Sequence, residues 1–80
     1  MEHTGAGKRL YDLRVKMGKT MDDVVIEINS KYDTKLARAN ISRWEACKNE
    51  PSLAMAKILC EYYGITADYL LGLEEKDNDN

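Results

Sequence analysis

Apolar positions recur at helical spacing in five stretches of the chain, and glycine, proline and polar clusters separate them. Leu10, Leu13, Val15 and Met17 mark a first predicted helix that Gly18 stops in a left-handed conformation. Thr20 opens a second helix, with Asp23 answering it as a capping box and Val24, Val25 and Ile28 forming the apolar face. That helix is expected to end between Ser30 and Tyr32, in the polar break Asn29 to Asp33. Thr34 is a candidate cap for a third helix, which starts at Lys35 or Arg38, runs through Cys47, and turns Leu36, Ile41 and Trp44 inward. Pro51 breaks the chain, and Ser52 caps a fourth helix with Leu53, Ala56, Ile58, Leu59 and Tyr63 before Gly64. Thr66 caps a short fifth helix presenting Tyr69, Leu70 and Leu73 around Gly72. No strand and no repeat emerges, so the predicted fold is all-α, a compact bundle of five short helices.

At 80 residues the chain supports one core. A domain this short buries only about 60–65% of its unfolded surface, so a homodimer is the expected supplement to its stability. The predicted domain spans residues 7–73, between a flexible arm at 1–6 and an acidic, disordered tail at 74–80. Met1 to Gly18 lacks the apolar run of a signal peptide, and no window approaches a membrane span, so a cytoplasmic protein without membrane contact is expected.

Cys47 and Cys60 stand too far apart for a CxxC pair, and the single histidine is His3, so no metal or other cofactor is expected. Two buried or half-buried free thiols are the plain reading and a disulfide the other. No carboxylate pair, Cys/His set, Ser/His arrangement or phosphate-cradling glycine loop occurs at useful spacing, which argues against an enzyme.

The net charge of −2 speaks against a nucleic-acid partner until it is divided along the chain. Glu74, Glu75, Asp77 and Asp79 against Lys76 give the tail −3, which leaves +1 for residues 1 to 73. Within residues 31 to 48, Lys31, Lys35, Arg38, Arg43 and Lys48 oppose only Asp33 and Glu45, a local +3. The third helix lies there. Ile41 and Trp44, three apart, take its core face, while Arg38, Asn40 and Arg43 point away from that stripe with groups able to read base edges.

Gly7-Lys8-Arg9-Leu10 with Leu13-Arg14, Thr20, Ile41-Ser42-Arg43-Trp44-Glu45, Pro51-Ser52-Leu53, and Tyr63-Gly64-Ile65 running into Asp68-Tyr69-Leu70-Leu71-Gly72 together resemble the lambda-repressor-like helix-turn-helix family of the Cro/CI or XRE type. The resemblance covers nearly the whole chain. It implies that the third helix enters the major groove, that the second helix's N-terminus abuts the phosphate backbone, and that a homodimer reads an inverted-repeat operator in double-stranded DNA. By position, Arg38, Ala39, Asn40 and Arg43 are the base-reading candidates. A guanidinium suits guanine, an amide suits adenine, and a methyl group suits thymine. Asn40 has an alternative use as a local cap, and Arg43 as a phosphate contact or a solvated charge. Thr20, Met21, Lys35, Ser42 and Lys48 are the phosphate candidates, the first two also through backbone N–H groups. Arg14 and Glu45 match a structural salt bridge between the first helix and the reading helix, and Trp44 matches core.

The chain departs from the family pattern at several points. Thr20 and Trp44 are spaced more widely than in the tight family motif, which implies an extended turn between helices 2 and 3. Met21 replaces a glutamine common in the family, and Glu50 adds a negative charge near the expected backbone. Cys47 replaces a glycine, so that Asn49 is expected to take the left-handed stop. The implied function is a bacterial or phage transcription regulator, by default a repressor. The alternative on the same scaffold is a protein-interaction module, such as an antitoxin-like regulator, using Tyr62, Leu70 or Leu73 on helices 4 and 5.

Overall fold

The computed structural model describes residues 6 to 72 and contains five helices: α1 (Ala6–Lys16), α2 (Met21–Tyr32), α3 (Arg38–Glu45), α4 (Leu53–Tyr63) and α5 (Ala67–Leu71). The expected tail, Leu73, and all of the expected arm except Ala6 lie outside the described residues. Ala6 itself opens α1. Among the described residues there is no strand, and no helix is long and apolar enough to cross a membrane.

Each helix gives at least one side chain to a single core of Leu10, Val24, Ile28, Ile41, Trp44, Leu59, Cys60 and Leu70. Full burial of an aliphatic side chain of this size contributes about 1.5–3 kcal/mol. α3 packs on α1 and α2, and α5 packs on α1 and α4, so α1 joins the two halves. Arg9 reinforces that junction, because its Nε donates to the Tyr69 carbonyl at 2.7 Å and its guanidinium lies over the Tyr69 ring at 5.2 Å.

Local chemistry sets most helix ends. The Thr20 hydroxyl accepts from the Asp23 N–H at 3.0 Å while Asp23 Oδ2 accepts from the Thr20 N–H at 2.9 Å, a complete capping box. Ser52 caps α4 and Thr66 caps α5 in the same manner, each accepting from the N–H three residues on. Lys19 pairs with Glu27 at 2.6 Å, and the Tyr62 hydroxyl donates to the other oxygen of that carboxylate. The middle of α2 is thereby tied both to the residue before its cap and to α4.

Several expectations change. Val15 and Met17 are 50% and 43% exposed: Val15, five positions from Leu10, lies well off its face, and Met17 follows the end of α1 at Lys16. Leu53 is exposed at the first turn of α4. Thr34 does not cap α3; its hydroxyl donates to Asn29 Oδ1 at 2.6 Å, and Ala37 occupies the cap position. Asn49 does not take the left-handed stop either. Cys47 does, at φ 62, with the Cys47 N–H donating to the Trp44 carbonyl and the Lys48 N–H to the Arg43 carbonyl, so a Schellman closure forms without glycine. Both cysteines are free, and Cys47 is exposed rather than half-buried. Burial pushes the Cys60 thiol above its ordinary pKa.

Gly7 is where α1 meets the end of α3. A Cβ there would lie 2.4 Å from the Trp44 carbonyl oxygen and 2.6 Å from Cys47 Sγ. The sulfur could rotate, but the carbonyl belongs to the backbone of α3. Gly7→Ala is therefore expected to destabilise the fold by about 1–3 kcal/mol, against the usual gain of alanine over glycine in a helix. Urea unfolding of the two proteins checks this, and equal midpoints would show that α1 can shift without cost.

Glu27 and Asp23 set an acid limit to stability. Bonds from Lys19 and Tyr62 hold the Glu27 carboxyl below its ordinary pKa of 4.5, and the Thr20 N–H holds Asp23 below 3.8. Both groups bind protons more weakly folded than unfolded. Their contribution is therefore present above the ordinary values and is lost as the pH falls through the lower folded ones. Glu27→Gln should give a shallower loss of stability between about pH 5 and pH 3 in pH-dependent urea unfolding. Superimposable acid limbs would rule out this linkage.

Candidate nucleic-acid interface

α3 is amphipathic in a way that fixes which side is presented. Ile41 and Trp44 are buried, while Arg38, Ala39, Ser42 and Arg43 are exposed. Those four positions, with Ala46 after the helix, follow the i, i+1, i+4, i+5, i+8 pattern of one continuous stripe. Its relief is low, with two long cations set among alanines and a serine. A stripe of this kind lets the helix backbone come close to a groove floor while the guanidiniums reach along it.

The position of this stripe depends on Arg14 and Glu45. Arg14 Nε and Nη2 donate to the two Glu45 carboxylate oxygens at 2.8 and 2.9 Å, and Arg14 Nη1 donates to the Lys19 carbonyl at 3.0 Å. Their side chains are only 11% and 5% exposed. One guanidinium thus joins the end of α1, the approach to α2 and the last residue of α3. The bond to Glu45 raises the already high Arg14 pKa further. The same surroundings push the Tyr63 phenol up to about 12, through burial first and the Glu45 charge second.

The pair also shapes the electrostatics of the surface. With the half-buried Glu45 paired to Arg14, the exposed charges of residues 31 to 48 are Lys31, Lys35, Arg38, Arg43 and Lys48 against Asp33 alone. Lys35 lies on the Asp33–Ala37 connection before α3, and Lys48 follows the Schellman closure after it. Both are exposed and flank the stripe in sequence.

The N-terminus of α2 lies next to this face, because Arg38 Nη1 is 3.9 Å from Asp22 Oδ2, both side chains being 65% exposed. An exposed pair at this distance is weak and leaves Arg38 able to reach elsewhere. Thr20 and Met21 differ from expectation in detail. The Thr20 N–H is taken by Asp23, and the Met21 side chain packs against the core. What remains toward an anion is the Thr20 hydroxyl proton and the first-turn N–H groups of Met21 and Asp22.

Asn40 departs furthest from its expected place. It is half-buried, and its Oδ1 accepts the Ala37 N–H at 2.8 Å, so it belongs to the start of α3 and not to the outward stripe. Asn29, at the start of the polar break, stands in the last turn of α2 and braces the extended turn. Its Nδ2 donates to the Leu36 carbonyl at 3.0 Å, and its Oδ1 accepts from the Leu36 N–H at 2.8 Å and from Thr34. Asp33 makes room for this by adopting a left-handed conformation, φ 58. An asparagine followed by turn-formers was a visible signal of side-chain-to-backbone bonding, but its partner seven residues away was not.

Among the described residues, no group of three or more His, Cys, Asp or Glu is placed to hold a metal ion. No protein-family model matches the chain, and no curated protein matches it in sequence.

Removal of either member of the Arg14 and Glu45 pair would leave a largely covered charge uncompensated. Glu45→Ala is expected to destabilise the fold by about 3–5 kcal/mol, and Glu45→Gln, which keeps an acceptor, by less. Denaturant unfolding followed by far-UV circular dichroism measures both. A loss below about 1 kcal/mol for Glu45→Ala would place the pair among ordinary surface contacts.

Proposed function

We infer that this protein is a sequence-specific, double-stranded DNA-binding transcription regulator of the lambda-repressor-like helix-turn-helix type, with α3 as its reading helix. The observation that carries this is the exposed stripe Arg38, Ala39, Ser42, Arg43 on a short helix whose opposite face is locked into the core. Arg38 and Arg43 supply forks that can bond guanine in bidentate fashion, and Ala39 offers a methyl to thymine. Lys35, Ser42, Lys48 and the first turn of α2 supply phosphate contacts. Asn40 serves this reading chiefly as the group that sets the start of α3, since its amide oxygen is engaged by the Ala37 N–H. The protein acts by binding and not by catalysis, as a homodimer on an inverted repeat, and represses by occlusion of the promoter. The sequence resemblance supports a bacterial or phage setting and a cytoplasmic site of action.

The alternative reading, a protein-interaction module, draws on one specific observation. Leu53 and Leu71 are 91% and 59% exposed beside each other's helices. Leu70, offered by sequence reasoning for that role, is instead 1% exposed and belongs to the core.

Selection of random duplexes on the purified protein at near-physiological salt decides between the readings. An enriched inverted repeat is expected, and Arg38→Ala should lose about 1–3 kcal/mol of preference at one base position per half-site. Lys48→Ala should weaken all sequences alike and reduce the salt slope by about one. No enrichment from folded wild-type protein would reject the DNA-reading function and favour the protein-interaction module.

A further inference from the structure

We propose that the cleft between the Asp33–Ala37 connection and the approach to α4 is a binding site for a free α-amino acid with an apolar side chain. The cleft measures about 640 Å³, within the range of about 300–1,000 Å³ typical of small-molecule sites. Lys35 and Leu36 line it from the connection, Asn40 and Trp44 from α3, and Glu50 and Met55 from the segment beyond. Trp44 carries the argument. It is only 7% exposed, yet its indole N–H has no acceptor among the described residues. A buried indole N–H ordinarily has a partner, because a dry donor forfeits the hydrogen bond it made in water. The other hollow that Trp44 borders, among Leu10, Leu59 and Tyr63, is too small for a water molecule, so an acceptor can reach the ring only from the cleft.

The remaining groups of the cleft select the ligand. Asn40 Oδ1 is taken by the Ala37 N–H, which leaves its Nδ2 to donate. With the indole N–H and the Lys35 ammonium, this makes a set of donors suited to a carboxylate. Glu50 accepts only, and suits an ammonium. Neither Lys35 nor Glu50 forms an ion pair with a described residue, so both charges are available to a ligand. Their sum is zero. A dianion such as a phosphate ester would leave Glu50 opposed, and a simple cation would leave Lys35 opposed, whereas a zwitterion answers both. Leu36, Met55 and the Trp44 ring then offer apolar surface to the side chain of the amino acid. The site stands beside α3 and does not depend on what α3 reads.

Trp44 is the single tryptophan of the chain, so one indole resonance in a proton–nitrogen correlation spectrum reports on the site. Titration of the isotope-labelled full chain, without DNA, with L-valine, L-leucine, L-methionine and L-phenylalanine in turn tests the proposal. At least one of the four is expected to move that resonance saturably, with a Kd below about 1 mM. Its amide, which lacks the carboxylate, and its N-acetyl form, which lacks the ammonium, should each bind at least about tenfold more weakly. Lys35→Gln and Glu50→Gln should each raise the Kd about tenfold and leave the helical circular dichroism unchanged, because both side chains are exposed. No saturable shift with any of the four would overturn the proposal and leave the indole to water. Binding that the amide and both variants retain in full would overturn it as well. A protein that binds the amino acid but selects no duplex keeps this site and rejects the DNA reading, so the two fail separately.

Discussion

Arg14 and Glu45 form the contact on which the rest of the arrangement turns. A guanidinium and a carboxylate are poor material for a protein interior unless each hydrogen-bonding position is used, and here the fork is matched in bidentate fashion with a further donor on the Lys19 carbonyl. The geometry ties three places in the chain to one point, namely the last turns of α1, the approach to α2 and the end of α3. A hydrophobic contact could hold α3 as tightly, but it would tolerate sliding. A planar fork on a planar carboxylate specifies position and rotation together. Gly7 then sets the closeness of approach at the same end of α3, where the Trp44 carbonyl occupies the space a side chain would need.

The pair has an electrostatic consequence as well. Glu45 would otherwise be an exposed acid within the most cationic stretch of the chain, and its pairing with Arg14 leaves only 5% of its side chain exposed. The lysines and arginines of residues 31 to 48 then face solvent against Asp33 alone. One interaction thereby fixes the pose of α3 and withdraws an acid from the exposed charges around it.

The molecule keeps this face separate from an apolar one. α3 presents short side chains and two arginines, whereas α4 and α5 present Leu53, Leu71 and a groove between them. The extended connection Asp33–Ala37 is held by polar bonds, with Asn29 bonding Leu36 through both its amide nitrogen and its oxygen. Left-handed residues that are not glycine, Asp33 and Cys47, stand at the two ends of the segment that carries this connection and α3. Each carries a modest backbone cost that the surrounding hydrogen bonds and packing offset.

By itself the sequence determined the number of helices, the caps of α2, α4 and α5, and most of the core. Thr20, Ser52, Thr66 and Gly64 act through bonds that span three or four residues, and Ile41 and Trp44 face inward because the helical period places them together. Such interactions are local and can be read from spacing. Tertiary structure decided what spacing does not encode: that Val15 and Leu53 remain outside while Leu70 goes in, that Asn40 turns back to the Ala37 N–H, and that Cys47 and not Asn49 closes α3. It likewise decided the pairing of Lys19 with Glu27 and of Arg9 with the Tyr69 carbonyl, partners 8 and 60 residues apart. Periodicity shows that a face is apolar or charged, but only the packing of the other helices shows how much of that face is covered and which distant group meets it.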